Sequence, residues 1–563
     1  MNKKFLDILK KNLPLILLII IFIFSLNIRV SSANSKWLSA YDPYFQYRYT
    51  KDVVENGVLP SWDVYSYYPP GRKLNVPPLM YYLTGYLFLI FNPLLGISLM
   101  KFCGIMAAIY GALGVIPAYF LGKEFSNKKA GLLSAFFVGF SPAILTRTLG
   151  GFYDTDGLVI FFSLLTMYLL VRAFRKRTYL DYGFAGVGLI LFGLTWTAAW
   201  YIPSIVLISI IFYFFILVLI GNPEWKDDIK KSNIFSSERI KAALSDFKSL
   251  FIPFLIIFIL ASLIDWLLGS NPLGRILNLF VFAQDPARVL IVNISVAELQ
   301  PLNVFGEAWS ELFARIGIPF IFTIPGSLLL LKRNRKNGAI LLIWAGISFF
   351  AITRGIRFML VFAPAACIAS SVFFSEAYKY LKNMGPYAPI ISFGVLVTVI
   401  SSMMKPSLGF LIGILLALLI LFNKKSENND NISKSVFMAS IIIVILITMS
   451  QGLQMTSGSM SEPINKNWAD AYLWLKNDTA KDAVVGSWWD PGHRIAGISE
   501  RRNIADGAHC PDEYCKPGLN TRIVDLGKIF STTSEDEAKN ILLKYRGNSS
   551  EMYWIVSDDL IGK

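Results

Sequence analysis

Four carboxylates stand where they could hold a cation. Asp42 lies in Ala40-Tyr-Asp-Pro-Tyr44, Asp154 and Asp156 lie in Gly150-Gly-Phe-Tyr-Asp-Thr-Asp156, and Glu298 lies in Asn293-Ile-Ser-Val-Ala-Glu298. Each flanks an apolar stretch. A carboxylate at a bilayer edge is costly unless it is paired with a cation or kept wet. Several at one depth therefore suggest a divalent metal, and hard oxygen ligands favour Mg²⁺ or Mn²⁺ over zinc. Taken singly, each carboxylate reads as a solvated loop charge or a helix cap. A second group is Ser487-Trp-Trp-Asp-Pro-Gly-His493, which puts two adjacent indoles, Trp488 and Trp489, beside the carboxylate of Asp490 in a polar C-terminal stretch. Adjacent indoles pack against something large or wall a pocket, and the Asp gives that wall a strong acceptor. Arg357, in Arg354-Gly-Ile-Arg-Phe358, opens an apolar run, where by itself it reads as an interfacial anchor at a helix start.

The elements that must position these groups are mostly membrane spans. The chain has 563 residues, 54% of them hydrophobic, and a mean hydropathy of +0.52. Its apolar runs have the length a bilayer-crossing helix needs, about 16 to 22 residues. The run 13–31 follows Lys3, Lys4, Lys10 and Lys11 and lacks a convincing small-residue cleavage site, so it reads as a retained first span with a cytoplasmic N-terminus. Further spans are expected near 98–121, 130–148, 158–172, 181–199, 203–221, 249–269, 311–331, 338–353, 356–374, 387–403, 407–422 and 435–451, about thirteen in all. The stretch 79–97 is assigned to a helix lying at the outer surface.

This count places Lys123, Lys128 and Lys129, then Arg172, Arg175, Lys176 and Arg177, then Lys332, Arg333, Arg335 and Lys336, then Lys424, Lys425 and Lys434 in inner loops, as the positive-inside rule requires. The net charge of +15 is then mostly topological and does not point to nucleic acid. Residues 1–451 form the membrane domain, with a first outer loop at 32–97, a charged cytoplasmic loop at 222–248 and a long outer loop at 270–310. All the singled-out carboxylates fall on the outer face.

Residues 452–563 form an external domain, read as α/β, with helices at 465–476 and 535–545 and buried strands at Ala483 to Val485 and Tyr553 to Val556. Cys103 and Cys367 sit in spans as packing residues. Cys510 and Cys515 suit a local disulfide. A zinc site built from them with His493 and His509 is the sharper alternative, although the spacing matches no standard motif.

The motif Ser487 to His493 resembles the WWDYG signature of the catalytic subunit of oligosaccharyltransferase, with Pro491 in place of the Tyr. The resemblance covers most of the chain: an Asp in the first outer loop (Asp42), an acidic pair in the second (Asp154 and Asp156), and Ser295-Val-Ala-Glu298 in place of a TIxE-like motif. It implies a polytopic α-helical membrane enzyme of the GT-C type, an archaeal-type single subunit that moves a glycan from a dolichyl phosphate or diphosphate carrier to asparagine in Asn-x-Ser/Thr, with inversion. In that reading Asp42, Asp154 and Asp156 hold Mn²⁺ or Mg²⁺, Asp42 and Glu298 hydrogen-bond the acceptor amide, and Arg357 meets the lipid phosphate. Trp488, Trp489 and Asp490 form the pocket for the acceptor's Ser or Thr hydroxyl. The implied partners are a dolichyl-linked oligosaccharide, acceptor polypeptides and the bilayer, with no nucleic acid and no obligatory second subunit. The implied location is the cell membrane, with the site facing outside.

Two departures qualify the match. Pro491 stiffens the turn and removes a backbone donor. The family's external domain usually continues further, and Asp525-Leu-Gly-Lys528 is only a weak match to its DxxK motif, so either the domain is short or the sequence is incomplete. Asn477-Asp-Thr479 and Asn548-Ser-Ser550 are themselves acceptor sequons, by chance or as sites of self-modification.

Other readings remain open at this stage. Another membrane glycosyltransferase of similar architecture, a protein O-mannosyltransferase or lipid-sugar arabinosyltransferase, would share the first-loop acid but have no use for a double-Trp pocket. A transporter of lipid-linked glycans would place ionisable residues within its spans along a path. Here they gather at the outer ends.

Overall fold

Apolar runs become helices throughout the computed structural model, which describes residues 3–270, 298, 300–303, 309–383, 429–458, 464–510, 515–558 and 560. Among the described residues eight helices are long and apolar enough to cross a membrane, and Leu79–Leu95 and Tyr179–Gly193 are shorter apolar helices. The expected spans 387–403 and 407–422 lie outside the described residues, as does most of the long outer loop.

Three spans differ from the reading of the sequence, each for a local reason. The stretch 311–331 is two helices, Trp309–Ile316 and Thr323–Arg333, because Gly317 takes a φ of +87° and Pro319 follows it. The stretch 130–148 ends as a regular helix at Phe140, where Ser141-Pro142 starts a separate short turn. The charged loop expected at 222–248 is shorter. Ser236 caps a helix that runs from Ser237 to Leu267, so the charges after 237 belong to the first turns of a span.

Fully buried Arg29 anchors the first helix, Lys3–Val30, to the loop that carries the acidic pair. Its Nε donates to Thr148 Oγ1 at 2.9 Å and its Nη1 to the Gly139 carbonyl at 2.9 Å, while the Gly150 amide donates back to the Arg29 carbonyl at 2.8 Å. A buried guanidinium is tolerable only where hydroxyl and carbonyl dipoles surround it in this way.

The C-terminal segment expected from the sequence to be an external domain has a three-stranded parallel sheet, Val484–Gly486 in the middle with Arg502–Asn503 on one side and Met552–Trp554 on the other. Helices Lys466–Asp478 and Glu535–Arg546 lie where the sequence predicts them, and Leu519–Ser531 is an additional one. Val484, Trp489, Ile504, Ala505, Leu526 and Tyr545 make its core. Cys510 and Cys515 are joined as a disulfide. That corrects the zinc alternative, because disulfide sulfurs have no thiolate to offer.

The first outer loop is stitched into this sheet. The Asn503 amide donates to the Tyr65 carbonyl at 2.8 Å and the Tyr68 amide to the Asn503 carbonyl at 2.9 Å. Arg522, fully buried, donates to the carbonyls of Tyr68 (2.9 Å), Pro69 (2.6 Å) and Ile504 (2.6 Å). Within the loop, Arg48 donates to both oxygens of buried Asp63, at 2.6 and 2.5 Å. Although burial alone would raise it, Arg48 holds the Asp63 carboxyl well below the ordinary carboxylate range. The pair therefore contributes stability that is complete above that range and is lost as pH falls through the depressed value. Asp63→Asn leaves a guanidinium buried without its counter-charge. We expect a cost of about 3–5 kcal/mol, read as a lower thermal-unfolding temperature in detergent at neutral pH; unchanged stability would refute the role.

Candidate active site

Asp42 opens the helix Asp42–Asn56, with Pro43 in its first turn. A carboxylate there gains from the positive end of the helix dipole. Its side chain is 59% exposed, opening into a cleft, while Pro43 and Tyr44 beside it are buried. Gln46 lies one turn on, on the same face. It donates from Nε2 to Asp154 Oδ1 at 2.8 Å and accepts from the Tyr81 hydroxyl at 2.6 Å. The Thr155 amide gives Asp154 a second donor at 2.7 Å. The first and second outer loops are thus tied together beside Asp42.

Asp156 starts the helix Asp156–Lys176 and accepts from Arg147 Nε at 2.7 Å. The same guanidinium bonds Glu298 through Nη1 and lies 4.7 Å from the Phe152 ring centre. Desolvation first, then Asp154 and Glu298, pushes the Asp42 carboxyl above its ordinary range, with Arg147 and Arg357 opposing. Burial and then Asp156 raise Asp154 in the same direction. The structure therefore brings Asp42, Asp154, Asp156 and Glu298 into one electrostatic unit.

Arg357 sits in the short turn Ile356–Phe358, whose Ile356 amide donates to the Gln300 carbonyl at 3.1 Å, two residues from Glu298. Arg147, Arg315, Arg357 and Glu298 line a single cavity of about 180 Å³. Three guanidiniums in one cavity suit an anionic group. The helices that carry Arg315 and Met359 also wall an apolar groove of about 720 Å³ through Trp309, Phe313 and Phe362.

Trp488, Trp489 and Asp490 follow the C-terminal end of the central strand, the end of a parallel sheet where ligands bind. The two indoles are not equivalent. Trp489 is a core residue packed 5.2 Å from the His509 ring, and Trp488 is half-buried, 6.5 Å from Phe530. Pro491 begins the next helical turn, where its missing donor would have no intrahelical partner anyway. At Gly492 a Cβ would fall 2.4 Å from the Ala505 carbonyl oxygen, so the glycine is required by close approach. His493 then enters the cleft from the external side, 3% exposed, with Nε2 at 3.8 Å from Asp42 Oδ1. Burial pulls its pKa down to about 4, so the imidazole is neutral.

Gln46, Arg147 and the approach of His493 to Asp42 are not apparent from the motifs. Arg147 had a detectable signal, a basic residue at the outer end of an expected span against the positive-inside trend. Among the described residues no three His, Cys, Asp or Glu side chains converge on one point as a ready metal cage. The hard oxygens of Asp42 and Asp154, pushed up by burial and like charge, nonetheless fit a Mg²⁺ or Mn²⁺ donor set, whereas Asp156 would have to exchange Arg147 for the cation.

The family model described as oligosaccharyl transferase STT3, N-terminal, matches residues 15–412. Among curated proteins the chain is similar to the dolichyl-diphosphooligosaccharide–protein glycosyltransferase subunit stt3 of Schizosaccharomyces pombe, 23% identical over 95% of this chain and 76% of that one. It is also similar to the dolichyl-phosphooligosaccharide-protein glycotransferase of Methanococcus voltae, 24% identical over 92% of this chain and 62% of that one. Among solved structures it resembles the apo oligosaccharyltransferase of Archaeoglobus fulgidus, with a TM-score of 0.66, 20% identity, and coverage of 95% of this chain and 69% of that one. A complex of AglB from the same organism with an inhibitory peptide and a dolichol-phosphate gives a TM-score of 0.68 at 20% identity, covering 95% of this chain and 69% of that one. At this identity the likeness to solved structures establishes the fold.

Replacing Arg147 by Met removes the positive charge that Asp156 and Glu298 share. The expected result is at least roughly tenfold tighter binding of Mn²⁺ by titration, since a unit charge within about 4 Å carries several kcal/mol near a protein surface. Weaker binding would show that Arg147 supports a cation rather than competing with it.

Proposed function

The chain belongs to the STT3 family of oligosaccharyl transferases, and on that premise we propose that it transfers a glycan from a dolichyl phosphate or diphosphate carrier to asparagine in Asn-x-Ser/Thr, with inversion and with dependence on Mn²⁺ or Mg²⁺. The chain is a multi-pass membrane protein, and the reaction is assigned to the outer face of the cell membrane, beside the acidic cleft. The observation that carries the reading is that Arg147 bonds both Asp156 and Glu298 while Gln46, one turn after Asp42, bonds Asp154, so carboxylates from three distant segments gather in one place.

The transfer breaks the bond between the anomeric carbon and the carrier phosphate while the acceptor amide nitrogen attacks from the opposite face. Charge develops on the departing phosphate. Arg357, with Arg315 and Arg147 in the same cavity, is positioned to stabilise it, the kind of preorganised electrostatics that usually dominates such reactions. The adjoining groove, lined by aromatic and aliphatic side chains, suits the carrier's isoprenoid chain. Asp42 and Glu298 accept hydrogen bonds from the two N–H groups of the acceptor amide, which weakens the delocalisation that makes an amide a poor nucleophile, and one of these carboxylates takes the single proton that leaves nitrogen as the new C–N bond forms. Held by Asp42 and Asp154, and by Asp156 once it leaves Arg147, a divalent cation would act as a Lewis acid toward the phosphate.

Acceptor choice falls to Trp488, Trp489 and Asp490. An acceptor built for a hydroxyl and left unpaired is costly, so a peptide lacking the hydroxyl is rejected. The proposed reaction takes two substrates, the dolichyl-linked oligosaccharide and an acceptor polypeptide, and calls for no obligatory second subunit.

Purified protein incubated with lipid-linked glycan and Asn-x-Thr or Gln-x-Thr peptides tests the reading. Cation-dependent modification of the first peptide alone is expected, and glycan movement across vesicles without modification would instead mark a transporter. Asp154→Ala is expected to lower turnover by roughly 10²-fold or more and to abolish the response to Mn²⁺. Asp490→Ala should raise the apparent KM for the peptide roughly 10-fold or more and erode discrimination between Thr and Ala two residues after Asn; intact discrimination would remove Asp490 from the pocket.

A further inference from the structure

The sequence contains two histidines, His493 and His509, and both lie in the external domain. His493 is the one that crosses to the membrane side. Its Nδ1 faces Asp506 Oδ2 at 3.6 Å, and its Nε2 faces Asp42 Oδ1 at 3.8 Å. Asp506 is fully buried and fixed on several sides. It accepts from Asn503 Nδ2 at 3.3 Å and from the Ala508 amide at 3.0 Å, and its carbonyl accepts from the Tyr67 hydroxyl at 3.1 Å. Nδ1 of His493 is buried with no hydrogen-bond partner of its own, so Asp506 is the acceptor within closest reach of it.

The backbone keeps a gap open between imidazole and carboxylate. A Cβ on Gly507 would stand 2.9 Å from His493 Nε2 and 3.4 Å from Asp42 Oδ1. Any side chain there would fill the space that these two atoms face. The separation of the pair also suits a shared cation. Two ligands each about 2.1 Å from one ion lie roughly 3 to 4.2 Å apart, from adjacent to opposite positions, and the observed 3.8 Å falls within that window. A buried carboxylate behind one ring nitrogen, with the other nitrogen turned toward an oxygen ligand, is the arrangement that orients metal-binding imidazoles.

We propose that His493, oriented by Asp506, supplies an imidazole nitrogen ligand from the external domain to the cation held by Asp42. The proposal rests on the cation dependence argued above. It adds a nitrogen to an otherwise oxygen donor set, which disfavours Mg²⁺ relative to Mn²⁺. It also makes the cation a bridge between the membrane domain and the domain that reads the acceptor. Asp506 is a positioning residue in this scheme.

Pulsed electron paramagnetic resonance on the full-length protein in nanodiscs, grown with ¹⁵N-histidine and loaded with Mn²⁺, reads the ligand directly. A ¹⁵N hyperfine coupling is expected in the wild type and in His509→Gln, and it should vanish in His493→Gln. His493→Gln and Asp506→Asn should weaken Mn²⁺ binding roughly 10- to 100-fold. Mn²⁺ bound with no ¹⁵N coupling in the wild type overturns the proposal and leaves the cation reading intact, as does a coupling that disappears only in His509→Gln. Absence of any bound Mn²⁺ overturns both. Because the wild-type spectrum alone can decide against the ligand, the test survives a variant that fails to fold.

Discussion

Carboxylates collected in one place repel one another, and Arg147 is the charge that makes the collection tolerable. It bonds Asp156 through one nitrogen and Glu298 through another, while its face rests on Phe152. Asp42 and Asp154 are left as the pair whose charges are least favoured, and both are pushed toward protonation. The site is therefore poised rather than relaxed. The cation of the proposed reaction would offset the repulsion between these carboxylates, and in that proposal Asp156 joins it only by leaving Arg147.

The same logic explains why the two domains are fused rather than merely adjacent. Arg522 closes four carbonyls around itself, those of Tyr68, Pro69, Ile504 and Pro517, and Asn503 exchanges backbone bonds with Tyr65 and Tyr68, so the first loop behaves as an edge of the C-terminal sheet. Arg494 stacks 4.3 Å from Tyr41, next to Asp42 in sequence. The bridges from Glu500 to Lys51 and Lys476 are more exposed and contribute little by comparison. Precision at the cleft comes from the buried contacts, which hold Asp42 and His493 to one geometry.

Much of this was visible in the sequence. Runs of apolar residues fix most spans, and the spacing of Asp42, the Asp154 and Asp156 pair, and Glu298 relative to those runs puts the carboxylates on one face. Breaks at Gly317 and at Ser141-Pro142 were harder to see, because hydropathy averages across them. Gln46 and Arg147 were missed for another reason. Nothing in a single-sequence pattern says which polar side chain will satisfy which carboxylate when the partners are 108 and 151 residues away. The disulfide between Cys510 and Cys515 was legible from proximity, whereas the turn of His493 toward Asp42 depends on how the two domains meet. By sequence the two indoles form one wall, but the strand geometry makes Trp489 a core residue and leaves Trp488 the more accessible of the two.

The bond from Tyr67 to the Asp506 carbonyl joins residues 439 positions apart. During synthesis the first loop emerges long before its partner strand exists, so the Tyr65 carbonyl, the Tyr67 hydroxyl and the Tyr68 amide are made before the residues they bond. Only once the strands at 484–486 and 502–503 have been made can the loop pair with its sheet. A chain that stops before Asn503 therefore carries the first loop without the strand that Tyr65 and Tyr68 pair with.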